Sequence, residues 1–196
     1  AMDSPVLKGD LEVAESEATA FQQRWRGRLA QEAALPGGGG LVDAIRAYEG
    51  LEDRLGRLIS YAGLVYAGDT SSPANAKFYG DIQARVTDIS ARLLFFGLEL
   101  NRIEDAAIEA ALAGNPQLAH YRPWLADLRL ERPFQLEDRI EELFLEKAVT
   151  GPASWNRLFD ETMTGLRFAV RGEELSIEET LNLLQEDDKA LRQEAA

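Results

Sequence analysis

Apolar residues in this chain recur at three- and four-residue steps almost from end to end, and that period commits it to helices. Leu11, Ala14, Ala18, Phe21, Trp25 and Leu29 mark the face of a first helix. A second is expected from Leu41 to Tyr66, striped by Leu41, Ile45, Tyr48, Leu51, Leu55, Leu58, Ala62 and Val65. Gly50, Gly56 and Gly63 each cost about 1 kcal/mol against Ala in a helix interior. The stripe runs unbroken through all three, which predicts close approach to a neighbouring helix there. A third helix is expected over 73–101, with Ser72 as N-cap and Pro73 at the first position, where a missing N–H costs nothing. Phe78, Ile82, Val86, Ile89, Leu93, Phe96 and Leu100 form its stripe, and Leu94, Phe95 and Leu98 add a second face near its end. A helix apolar on several sides belongs inside a bundle or under another domain.

Breaks divide the rest. Pro36 and the four glycines 37–40 read as a short flexible linker. Gly114-Asn115-Pro116 closes a helix over 103–113, and further helices are expected over 116–130 and 135–148. Gly151-Pro152 precedes another, carrying Trp155, Leu158, Phe159, Met163 and Leu166. Then Leu166, Phe168 and Val170 alternate with Arg167, Ala169 and Arg171, and Gly172 offers a turn, which predicts a hairpin near residues 166–176. Ser176 and Glu179 form the Ser-x-x-Glu capping box of a short helix through Leu184. The expected fold is mainly α: a bundle of about seven helices with one small hairpin. A last helix starts after Asp187 and reaches Ala196 without a C-cap, so it either docks on the domain or continues into a missing part.

Composition narrows the function classes. At 196 residues and 45% hydrophobic, the chain can build a full core without metals or disulfides. With 34 acidic and 21 basic residues its net charge is −13, a field that repels nucleic acid and anionic membranes, so neither is expected as a partner. No stretch approaches the roughly 20 apolar residues of a membrane span; the densest, 93–100, contains Glu99. The absence of cysteine and of a signal-peptide pattern leads to a cytoplasmic expectation. Ala1 before Met2 reads as the scar of a cleaved tag.

The single histidine, His120, restricts the chemistry most. A His-Glu-x-x-His zinc helix needs two histidines, and a di-iron bundle needs two Glu-x-x-His pairs. Glu137 with Glu141, and Asp138 with Glu142 and Glu146, lie at i, i+4 spacing and could bind a hard cation, but a solvated acidic face is the expected reading. His120, beside Tyr121, Arg122 and Trp124, lacks a partner at any motif spacing and reads as an ordinary histidine. Tyr61, Tyr66, Phe78, Phe95 and Phe96 could line a peptide groove, but helical spacing favours core. The glycines at 37–40 lack the Lys-Ser/Thr of a phosphate loop. No catalytic, cofactor-binding or metal-binding residue is assigned.

Several blocks together resemble one family. These are Ser60 to Thr70, Ala76 to Asp81, Leu94 to Ile103, His120 to Leu125, Gln135 to Arg139 with Glu146-Lys147, and Ala153 to Glu161. Glu173-Glu174-Leu175, Leu181 to Leu184, Asp188 and Arg192 continue the series. In collinear order from about Leu7 onward, they are similar to the amino-terminal part of the oligoendopeptidase F family, zinc metallopeptidases of the thimet-oligopeptidase type.

The resemblance implies a cytoplasmic, mostly helical zinc peptidase that cleaves short peptides in a channel between two lobes. In such an enzyme zinc activates water and polarises the scissile carbonyl, with the motif glutamate as base. Those motif residues belong to the family's carboxy-terminal lobe, and none has a counterpart here. Residues 1–186 are therefore expected to form the amino-terminal lobe, and 187–196 the start of a helix leading into a missing catalytic domain. The fragment itself is expected to hold no cofactor and to be inactive. Its expected partners are the missing lobe, short peptides in the whole protein, and a second copy, through an apolar patch where the missing lobe should dock, marked by Leu94, Phe95 and Leu98, the hairpin from Leu166 to Leu175 and the helix after Asp187. A free-standing acidic interaction module is the alternative.

Overall fold

The computed structural model describes residues 2–196; Ala1, read above as a tag scar, lies outside them. The expected class holds: a mainly helical bundle with one two-stranded antiparallel sheet. The helices are shorter and more numerous than about seven, with twelve α-helical segments among the described residues.

Helix α1 (Pro5–Trp25) buries Leu7, Leu11, Ala14, Ala18, Phe21 and Trp25, the expected stripe extended one turn backwards. It ends at Gly27, whose positive φ of 76° turns the chain into α2 (Leu29–Ala34). Helix α3 (Leu41–Gly68), about 42 Å long at 1.5 Å per residue, packs between α1 and α4 (Pro73–Ala91). The Ser72 hydroxyl accepts the Asn75 N–H and Pro73 opens α4, as the sequence predicts.

Four expectations need correction. The stretch 36–40 is a built corner, not a flexible linker. It forms a 3-10 turn against α6 (Asp105–Gly114) in which Gly37, Gly38 and Gly39 all have positive φ. A Cβ on Gly38 would stand 2.8 Å from Leu118 and 3.0 Å from Ala111, so the chain passes where only glycine fits. Asn115 fastens the corner, its amide donating to the Gly37 carbonyl while Oδ1 caps α7 (Pro116–Ala119).

The third predicted helix is two. The α-helical ladder is interrupted at Arg92–Leu93 by i→i+3 bonds, and α5 (Leu94–Arg102) follows, burying Phe95, Phe96, Leu98 and Leu100. Arg92 ties this turn to α1, donating to the Thr19 hydroxyl at 3.0 Å and the Glu15 carboxylate at 3.0 Å. Likewise 116–130 divides into α7 and α8 (Arg122–Leu130), because Pro123 has no N–H to continue the ladder.

The glycines of α3 are not close-approach points either. A Cβ on Gly50 or Gly56 would meet nothing within 4 Å, and on Gly63 only the edge of Tyr79 at 3.9 Å.

A short 3-10 turn (Arg132–Phe134) leads to α9 (Asp138–Thr150) and α10 (Pro152–Gly165). The hairpin pairs β1 (Phe168–Val170) with β2 (Glu173–Leu175), Phe168 opposite Leu175, around Arg171-Gly172. Both turn residues have positive φ, as a two-residue hairpin loop with the strands' own twist requires. Ser176 and Glu179 close the predicted capping box on α11 (Ile177–Leu183). The last helix, α12 (Lys189–Ala195), is capped by Asp188 and held to the hairpin turn by Arg171, which pairs with Asp188 and Glu194.

The continuous core extends from Leu7 to Leu125. Beyond it, Val170 and Thr180 are the buried side chains among the described residues, and no residue of α9 or α10 is buried. Among the described residues no helix is long and apolar enough to cross a membrane.

Two substitutions should move stability in opposite directions. Gly50→Ala gains helix propensity with no contact to disturb, so urea unfolding should show about 0.5–1 kcal/mol of stabilisation. Gly38→Ala forces a Cβ into Leu118 at positive φ and should lose about 2 kcal/mol or more.

Candidate functional site

The features from which a site could be built lie on either side of Tyr48 and along the carboxy-terminal third. Tyr48 sits on α3 with its ring 4.7 Å from Phe96 and 6.3 Å from Trp124. Burial, with the neighbouring Glu52 carboxylate, pushes the Tyr48 hydroxyl well above its ordinary range. Burial also raises Glu52, against a lowering contribution from Tyr48.

On one side of Tyr48 is an open groove of about 510 Å³ between α3 and the α7–α8 corner, walled by Tyr48, His120, Tyr121 and Trp124, with Glu49 and Glu52 on α3. Tyr121 donates to Glu49 at 3.1 Å, and the His120 ring meets Tyr121 edge-on at 5.2 Å. His120 is exposed. On the other side, a cavity of about 520 Å³ opens between α3, α5, α8 and α9.

The remaining sequence candidates scatter. Phe95, Phe96 and Tyr66 are core; Tyr66 stacks on Tyr79 with centroids 5.4 Å apart, and Tyr61 meets Phe78 edge-on at 6.1 Å. Of the acidic residues of α9, Asp138 and Glu141 serve structure separately, and Glu142 and Glu146 are exposed. Asp138 pairs with Arg102, whose guanidinium holds the Asp138 carboxyl below its usual range. Glu141 accepts the Leu136 N–H at 2.8 Å. Among the described residues no three His, Cys, Asp or Glu side chains converge to hold a metal ion. The lone histidine and its aromatic neighbours do not fit a zinc site.

The sequence placed an apolar patch at Leu94, Phe95 and Leu98, but Phe95 and Leu98 are buried on α5. The exposed apolar face lies elsewhere. Phe134, Phe144, Trp155 and Phe159 are 63–74% exposed, and Leu143 and Leu158 about half exposed. Ile140, Leu143 and Phe144 on α9, and Trp155, Leu158 and Phe159 on α10, have ordinary amphipathic spacing. That spacing gives each helix an apolar face but does not say whether the same chain covers it.

A mainly helical bundle whose last third presents an uncovered apolar face is the class of molecule these observations define. Residues 99–168 match the family model for the amino-terminal region described as Oligopeptidase F. The fold is similar to the crystal structure of oligoendopeptidase-F from Enterococcus faecium, with a TM-score of 0.81 at 19% identity. That likeness covers 96% of this chain and 37% of that one, so the chain spans little more than a third of the length of its structural relative. No curated protein matches it in sequence. The resemblance read from the residues is thus supported in sequence over 99–168 and in fold over nearly the whole chain.

Of the three tryptophans, Trp25 is buried, Trp124 half-buried and Trp155 69% exposed. Acrylamide should therefore quench a red-shifted component that Trp155→Phe removes, leaving emission that is blue-shifted and largely protected.

Proposed function

We propose that this chain is the amino-terminal helical lobe of a cytoplasmic, zinc-dependent oligoendopeptidase that hydrolyses short peptides. The lobe walls the substrate channel, while the zinc and its ligands belong to a catalytic lobe outside these residues. The observation that carries the proposal is the fold similarity, over 96% of this chain, to 37% of an oligoendopeptidase-F. The uncovered face of α9 and α10 supports it, because contiguous apolar surface on a soluble protein commonly marks an interface. The net charge of −13 argues against nucleic acid or an anionic membrane as the covering partner.

A reading frame that continues past Ala196 into a His-Glu-x-x-His motif supports the proposal; a stop codon there favours a free-standing interaction module. Residues 1–196 alone should hold less than stoichiometric zinc after dialysis and leave a quenched fluorescent peptide uncut. Tight zinc at one per chain with chelator-sensitive cleavage would overturn the assignment of catalysis to the other lobe.

Without that lobe, a second copy is the available cover for the exposed face. Light scattering should show mass rising with protein concentration, more steeply at high salt, where repulsion between the acidic chains is screened. A monomer mass at every concentration and salt would show that the face does not self-associate.

A further inference from the structure

The polar lining of the 520 Å³ cavity is rich in acceptors, with the Tyr48 and Ser90 hydroxyls beside them. Asn101 lines it from α5; the side chain is only 4% exposed, and its Oδ1 is buried with no hydrogen-bond partner. Gln135 lines it from the turn before α9. Its Nε2 donates to the Leu98 carbonyl at 3.2 Å, which fixes the amide orientation and leaves the buried Oε1 also unpartnered. An unsatisfied buried polar atom costs about 1–3 kcal/mol, so two on one cavity are unusual unless something donates to them. Glu52, Glu131 and Glu141 add carboxylates, and no Lys or Arg lines the cavity. Between these oxygens the wall is aliphatic, made chiefly by Leu93, Leu98, Leu128 and Leu145.

We propose that this cavity binds a primary alkylammonium group. The ammonium supplies three donors and a positive charge to the amide oxygens and carboxylates, and the methylene stem lies along the leucines. A metal ion fits less well, because the carboxylates do not converge on one point and the leucines offer a cation nothing. An anion would face three carboxylates. Burial raises Glu52, the behaviour of a carboxyl that lacks a cationic neighbour. Such a group could be carried by a free alkylamine or by the lysine side chain of a peptide; both present the same head and stem. The site is independent of the peptidase reading, because binding is measured on this chain without hydrolysis.

The test is a calorimetric and amide-NMR titration of residues 1–196 with butylammonium, with N-acetyl-lysine methylamide, and with 1-butanol as the uncharged stem. The expected result is saturable binding of both amines, with shifts at Asn101 and Gln135, and at least tenfold weaker binding of butanol. Tighter binding of butylammonium identifies a free amine as the ligand, and tighter binding of the lysine derivative a peptide. Asn101→Leu should weaken amine binding tenfold or more while leaving the melting temperature unchanged or higher, since it removes an unpaired buried acceptor. Gln135→Leu, at a half-buried position, should weaken it several-fold and decides the matter if Asn101→Leu does not fold. Overturning results are no saturation by either amine, equal affinity for butanol, or affinity unchanged in the folded variants.

Discussion

Phe96 is the side chain around which the larger part of the molecule closes. Fully buried, its ring lies 5.2 Å from Phe21 on α1 and 4.7 Å from Tyr48 on α3, and Phe95 meets Phe21 at 5.8 Å. Aromatic pairs of this kind add about 0.5–1.5 kcal/mol beyond area burial. The two phenylalanines follow the short turn at Arg92–Leu93, which Arg92 secures on α1. Further along α5, Glu99 accepts the Gly27 N–H at 2.8 Å, fixing the exit of α1, and Asn101 lines the cavity.

How much of this was legible in sequence follows from the kind of signal involved. The stripes of α1 and α3, the Ser72 and Ser176 caps and the hairpin are local patterns, and each stands where it was expected. The break after Ala91 was not legible, because Ile89, Leu93, Phe96 and Leu100 keep perfect helical spacing across it. The i→i+3 bonds at Arg92 and Leu93 that end α4 leave no mark on that spacing. The four glycines at 37–40 carry the same composition whether they float or are packed against Leu118 and Ala111. The exposed face of α9 and α10 was visible as two stripes, but not as uncovered ones. Nor was the cavity visible, since Asn101 and Gln135 are 34 positions apart and belong to no motif.

The two parts of the chain are held by different forces. Up to Leu125 stability comes from burial around Phe96 and along α1 and α3. In the carboxy-terminal third α9 packs on α4 and α5 without a fully buried side chain, and polar links join this third to the rest: Arg102 to Asp138, Gln135 to the Leu98 carbonyl, and a 2.6 Å hydrogen bond between Thr70 and Thr164. Exposed ion pairs contribute about 0–1 kcal/mol each, whereas fully burying an aromatic or leucine side chain contributes about 1.5–3 kcal/mol. Polar links of that size do not replace the burial that Phe144, Trp155 and Phe159 lack. The order of magnitude favours a covering surface as the missing contribution.

The amine-accepting cavity lies on the seam between these two regimes. Tyr48, Leu93, Leu98 and Asn101 wall it from the firm side, and Gln135, Glu141 and Leu145 from the loosely attached side. In a close-packed core an unpaired Asn101 Oδ1 would be pressed against carbon on every side, and replacing it with leucine would simply improve the packing. At the seam Asn101 instead lines a cavity bounded by a helix with no buried residue of its own. A ligand that donates to both Asn101 and Gln135 would bridge α5 to the turn before α9, and so would hold the two regimes together. A ligand that fixed Gln135 in this way would also steady the turn that enters α9.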